Sequence, residues 1–114
     1  MATGYAGFQK EGKNDKTWSL VDEYTGKNLH ARDRALLDIL DKATANSDKN
    51  GLYSISVSEH QGKFLMLQAR MRRAKHILEV GLLGGYSTIW LANATPDVKI
   101  TTVEIDEELS LIHI

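Results

Sequence analysis

The feature that most constrains this chain is the string Ile77-Leu-Glu-Val-Gly-Leu-Leu-Gly-Gly-Tyr-Ser-Thr-Ile-Trp-Leu91, followed by Thr102-Val-Glu-Ile-Asp106. His76-Ile-Leu-Glu-Val80 is short, largely apolar and runs directly into Gly81, the pattern of a buried strand ending in a tight turn. Tyr86, Ile89, Trp90 and Leu91 then give a helix with one apolar side, reaching about Ala94 and closed by Thr95-Pro96-Asp97. Lys99-Ile-Thr-Thr-Val-Glu-Ile105 is rich in β-branched residues and reads as a second strand. Strand, glycine turn, helix and strand make a βαβ unit. Its right-handed crossover forces parallel pairing and opens a doubly wound α/β sheet.

Three helices are expected upstream. Trp18, Leu20, Val21 and Tyr24 fall at near-helical spacing from Thr17, with Gly26 and Asn28 as the stop. From Ala31 to about Ser47, Leu36, Ile39, Leu40 and Ala43 form one stripe, and the cluster from Asn46 to Gly51 is a turn. Ser58 and Gln61 have capping-box spacing and start a third helix that ends near Arg73. On it Phe64, Leu67, Gln68 and Met71 share a face, and Phe64, Met66 and Met71 are expected in the core. Arg70, Arg72, Arg73 and Lys75 crowd the far end, where cations complement the helix dipole. Residues 1–16 carry three Gly and three Lys with little apolar periodicity and are expected to be a flexible arm. Residues 17–106 form the folded part, and 107–114 an atypical tail.

Composition narrows the function classes. A length of 114 residues allows one domain, and 42% hydrophobic with 25% charged residues is ordinary globular usage. A net charge of −1 supplies no overall basic field, so neither nucleic acid nor an acidic membrane is the expected partner, and a small molecule is. With no Cys, disulfides, thiolate nucleophiles and cysteine metal sites are excluded. The N-terminus lacks the apolar run of a secretory signal and no segment is apolar enough to span a membrane, so the cytoplasm is the default expectation. His30, His60, His76 and His113 show no ligand spacing, and no zinc is expected.

The chemistry sits at the glycine turn. Gly81, Gly84 and Gly85 let the backbone turn sharply and approach a ligand without Cβ interference, while the next helix directs free N–H groups toward an anionic group. Glu104, at the end of the second strand, is placed to accept both hydroxyl protons of a ribose, so a ligand containing adenosine is expected. The pattern is G-x-x-G-G rather than the G-x-G-x-x-G of pyrophosphate sites, which favours a nucleoside joined to an amino acid over a dinucleotide.

These residues resemble the S-adenosylmethionine-dependent O-methyltransferases of the caffeoyl-coenzyme A and catechol type, particularly fungal members. The likeness runs over about residues 17 to 108, from TWSLVDEY through SVSEHQGKFLMLQARMRRAKHILEVGLLGGYSTIWLANATPDVKITTVEID. It implies the N-terminal part of a Rossmann-like doubly wound methyltransferase fold, truncated after the second strand, and S-adenosyl-L-methionine as the methyl donor. On that resemblance Glu79 lies near the donor's methionyl end, and the Gly81-Leu82 backbone lies beneath the donor. Ser87 helps hold the methionyl carboxylate, with Gly85 and Tyr86 beside it; Glu104 takes the ribose, and Val57 falls at a donor-contacting position before the third helix. The acceptor is then a small phenolic or catechol-like hydroxyl compound. The family's divalent metal, Mg²⁺, and its homodimer are expected only of a full-length form, so the chain by itself is expected to be inactive, and no catalytic residue is assigned. Two other readings stand beside this one: a non-catalytic interaction or dimerisation remnant, and a nicotinamide-dependent oxidoreductase, which the glycine spacing disfavours.

Overall fold

A computed structural model describes residues 16–28, 33–107 and 109, and the chain divides into two compact units, Met1–Ala31 and Arg32–Ile114. In the first, helix α1 spans Lys16–Asn28, starting one residue before the expected Thr17. Its C-terminal turn is held by side chains: Thr25 Oγ1 donates to the Val21 carbonyl at 2.6 Å and Asn28 Nδ2 to the Tyr24 carbonyl at 2.8 Å. Lys27 pairs with Glu23 one turn earlier at 2.5 Å and lowers the Glu23 pKa. Within this unit Leu20, Val21 and Tyr24 are exposed. Of the expected arm, residues 1–16, Lys16 is instead the first residue of α1, and residues 1–15 lie outside the described residues.

The second unit holds helices α2 (Arg34–Lys49), α3 (Glu59–Met71) and α4 (Tyr86–Ala92) and strands β1 (His76–Val80) and β2 (Lys99–Val103). Helix α2 starts later than the expected Ala31 because Asp33 is its N-cap: Oδ1 accepts from the amides of Ala35 at 3.1 Å and Leu36 at 3.3 Å. It runs two residues past Ser47, to Lys49. Helix α3 begins with the expected capping box. Ser58 Oγ accepts from the Gln61 amide at 3.3 Å, and Gln61 Oε1 accepts from the Ser58 amide at 2.9 Å. The helix ends at Met71 rather than Arg73, since Arg73 turns left-handed (φ 50°) and the Ala74 amide reaches back to the Ala69 carbonyl at 3.0 Å, the Schellman geometry that stops a helix.

Leu36, Leu40, Met66, Trp90 and Ala94 form the core, with Leu37, Ala69, Tyr86 and Ile89 packed against it. The expectation for α3 needs correction: Met66 is buried, but Phe64 (58% exposed) and Met71 (68%) point to solvent. Gly62 and Met66 face α4 because the Trp90 ring lies directly over Gly62, where a Cβ would stand 2.2 Å from the indole Cδ1. Phe64 is two residues from Gly62, about 200° around a helix, and is therefore carried to the opposite side. Arg70 stands in the last turn of α3, as expected, and takes on a second role. Its guanidinium donates to the carbonyls of Asn93 at 2.8 Å and Ala94 at 3.0 Å, capping the C-terminus of α4, which stops at Ala92 rather than Ala94.

Strands β1 and β2 form a two-stranded parallel sheet in the register His76↔Lys99 through Val80↔Val103, and the Gly81 amide adds a bond to the Val103 carbonyl at 2.8 Å. Alternation turns Ile77, Glu79, Ile100 and Thr102 inward, while Leu78 (68% exposed), Val80 (80%) and Val103 (47%) stand on the other face. β2 closes at Val103, before the expected Ile105, and Ile105 is fully exposed. The parallel βαβ unit matches the expected α/β class. Among the described residues no helix is long and apolar enough to cross a membrane.

Candidate functional site

The site is assembled where β1 and β2 end on the same side of the sheet. Gly81 takes φ 89° and Gly85 φ 75°, so the connection from β1 to α4 uses left-handed backbone at two glycines, as expected for the turn. Leu83 is also left-handed at φ 48°, which costs a residue with a Cβ about 1–2 kcal/mol unless the surroundings hold it. Gly84 serves differently: its φ is not positive, but a Cβ there would lie 2.0 Å from Ser47 Oγ, so its smallness admits the end of α2 against the turn.

Glu104, one residue past β2, reaches across to this turn. Its Oε2 accepts from the amides of Leu82 at 2.8 Å and Leu83 at 3.1 Å, and its Oε1 from those of Ile105 at 2.8 Å and Asp106 at 3.0 Å. Backbone N–H groups favour the carboxylate over the carboxylic acid, and those of Asp106, Leu83 and Leu82 contribute most to a pKa lowered to about 2, with burial acting in the other direction. The expected neighbourhood of Glu104, Gly81 and Leu82 is therefore present in the fold.

Glu79 is buried at 9% exposure and forms a second knot beneath the first. Its Oε1 accepts from Ser87 Oγ at 2.6 Å, and its Oε2 from Thr88 Oγ1 at 2.5 Å and Thr102 Oγ1 at 2.8 Å. One side chain of β1 thus ties α4 and β2 together. Ser87 and Glu79 are brought into contact, and because the Ser87 proton is committed to Glu79, the hydroxyl presents lone pairs to anything else that approaches it. Thr88 and Thr102 were not anticipated as partners. The signal for Thr102 lies in the parallel register, which sets it opposite Glu79, and that register is not legible before the strands are paired.

Val57 and Tyr86, the remaining expected site residues, line a common cavity of about 240 Å³ with Ser47, Asp48, Ser58 and Glu59. Burial pushes the Tyr86 phenol above its ordinary pKa, with the Trp90 indole acting in the opposite direction. The lining is hydroxyl-rich and carries carboxylates without a Lys or Arg. Among the described residues no group of three His, Asp or Glu is placed to hold a metal ion.

A parallel strand-turn-helix-strand unit with a carboxylate at the end of its second strand places the chain in the class of doubly wound α/β domains, an arrangement that nucleoside-binding members share. Comparison with known proteins narrows this: residues 27–113 match the O-methyltransferase family model, and the chain belongs to the O-methyltransferase family. It is 42% identical over 100 residues to an O-methyltransferase of Aspergillus flavus, covering 87% of this chain and 40% of that protein. It is 45% identical over 94 residues to a catechol O-methyltransferase of Niastella koreensis, covering 82% and 41%. Among solved structures, the O-methyltransferase from Bacillus cereus in complex with SAH superposes with a TM-score of 0.73 at 37% identity, over 84% of this chain and 42% of that one. TomG from Streptomyces achromogenes in complex with SAM gives 0.68 at 41% identity, over 83% and 41%. The chain thus spans about two fifths of the length of the relatives it matches.

Proposed function

We propose that the glycine turn binds the methyl donor S-adenosyl-L-methionine, and that the whole protein transfers its methyl group to a hydroxyl of a small phenolic or catechol-like acceptor. The observation that carries this reading is the Glu104 carboxylate lying against the Leu82 and Leu83 amides. An acidic group at that position is aimed where a nucleoside's ribose approaches the turn. The relatives solved with SAH and SAM support the choice of nucleoside. In this reading Glu104 accepts the ribose hydroxyls and Glu79 offers oxygen lone pairs toward the methionyl ammonium; Ser87, whose proton goes to Glu79, turns its lone pairs to that ammonium as well, rather than holding the methionyl carboxylate that the resemblance implied for it. Gly81, Leu82 and Gly85 form the floor, while Val57 and Tyr86 border the donor from the α3 side.

Methyl transfer requires the acceptor oxygen to attack the methyl carbon in line with the breaking carbon–sulfur bond, the electron pair passing to sulfur and the acceptor's proton to a base. The residues of this chain supply binding and orientation, and no residue is assigned as that base. Orientation is a large share of such a barrier, since well-aligned reactants gain about 7–11 kcal/mol over free ones.

Isothermal titration with S-adenosylhomocysteine and, separately, NAD⁺ tests the reading. Binding of the first, weakened about tenfold or more by Glu104→Ala, is expected on the scale of losing charge-assisted bonds. Preference for NAD⁺, or S-adenosylhomocysteine binding indifferent to Glu104→Ala, refutes it.

A further inference from the structure

The carboxylate that the donor reading assigns to ribose is already fully engaged. A carboxylate offers roughly four lone-pair positions, and four backbone amides approach those of Glu104 within 2.8–3.1 Å. Two amides belong to the turn after β1 and two to the segment after β2, so one side chain clamps the ends of both strands just beyond their last ladder bond, Gly81 N–H to the Val103 carbonyl. The clamped turn includes Leu83 in left-handed backbone (φ 48°), a conformation that persists only where neighbouring bonds hold it. Successive N–H groups around such a residue form a concavity suited to an anion. Here the anion is the chain's own.

We propose that Glu104 is an internal latch: its carboxylate, seated on the Leu82 and Leu83 amides, holds the Gly81–Gly85 turn in its binding shape. A ribose diol then gains the carboxylate by displacing it from the Leu82 and Leu83 amides. The holding role rests on geometry alone, and the exchange step rests on the methyl-donor reading above. Two consequences follow. Glu104 is a positioning residue before it is a ligand-binding one, and a nucleoside without a diol has no means of opening the latch.

Amide-resolved NMR of the ¹⁵N-labelled chain separates the two roles. Without ligand, Glu104→Ala should speed hydrogen exchange at Leu82 and Leu83 by about tenfold or more, and Glu104→Gln, which keeps one accepting oxygen, by less. The Gly81 amide, held by Val103, is the internal reference and should keep its rate, since general loss of folding would accelerate it as well. Unchanged exchange at Leu82 and Leu83 in Glu104→Ala, or equal acceleration of Gly81 in both variants, overturns the latch. With ligand, adenosine should move the Leu82 and Leu83 amide resonances upfield as their acceptor leaves, and 2′,3′-dideoxyadenosine should not. Adenosine binding without that movement, or the same movement with the dideoxy compound, overturns the exchange. Failure of both nucleosides and of S-adenosylhomocysteine to bind removes the donor reading and the exchange together, and the ligand-free arm then decides the holding role.

Discussion

Replacing Gly62 by alanine should destabilise the protein, although glycine is ordinarily the poorer residue inside a helix. At an open helical position the exchange gains about 1 kcal/mol. In α3 the new Cβ would stand 2.2 Å from Trp90 Cδ1, 2.4 Å from Nε1 and 2.7 Å from Cγ. Carbon atoms rest at about 3.5–4.0 Å, so the indole or the α3–α4 spacing must yield by roughly 1 Å or more. The ring has little room to do so, because Trp90 is 3% exposed within the core formed with Leu36, Leu40, Met66 and Ala94. Overpacking of this kind costs about 1–3 kcal/mol, and with a rigid ring the upper end applies. After the propensity gain, a net loss of about 1–2 kcal/mol is expected. Urea denaturation followed by far-ultraviolet circular dichroism reads this as a midpoint lowered by roughly 1 M. Wild type and variant must be compared at equal protein concentration, because association would shift both midpoints. Adding Trp90→Leu to Gly62→Ala should recover the cost of the clash. An unchanged or raised midpoint in Gly62→Ala alone would refute the argument that Trp90 is why a glycine sits there.

Glu79→Ala should cost about 2–4 kcal/mol, since it leaves the hydroxyls of Ser87, Thr88 and Thr102 without their buried acceptor, and Glu79→Gln should cost less; chemical denaturation measures both. The Glu104 carboxyl, lowered from 4.5 to about 2, binds a proton more readily in the unfolded chain than in the folded one. Its stabilisation is therefore complete above pH 4.5 and lost as pH falls toward 2, an effect of about 1 kcal/mol after discounting for solvent access; acid denaturation of Glu104→Gln should lack this component. The exposed sheet face of Leu78, Val80 and Val103, beside the open edges of a two-stranded sheet, should make the chain associate with itself. Sedimentation velocity over a dilution series checks this, with Val80→Lys reducing the associated fraction; a concentration-independent monomer counts against it.

The parallel βαβ unit, the start of α3 at a Ser58–Gln61 capping box, and the meeting of the glycine turn with Glu104 were all readable from residue order. The physical reason is that each is local or follows from a handedness rule: a cap spans three residues, left-handed turns select glycine, and a right-handed crossover brings the two strand ends together. The face of α3 that becomes buried was not readable. Phe64 and Met71 are as apolar as Met66, and only the seating of Trp90 over Gly62 decides which side turns inward. The first residue of α2 was not readable from its apolar stripe, which fixes a buried face but not a cap; the Asp33 carboxylate on the Ala35 and Leu36 amides fixes it. Sequence alone determined the types of element, the position of the turn and the acid that faces it, because these depend on neighbours in the chain. Tertiary structure alone decided that Glu79 binds three hydroxyls, that Arg70 caps a helix other than its own and that four amides surround Glu104. Except for the two amides that follow Glu104 directly, these bonds join residues 8 to 24 positions apart, and their geometry exists only once strands and helices have packed.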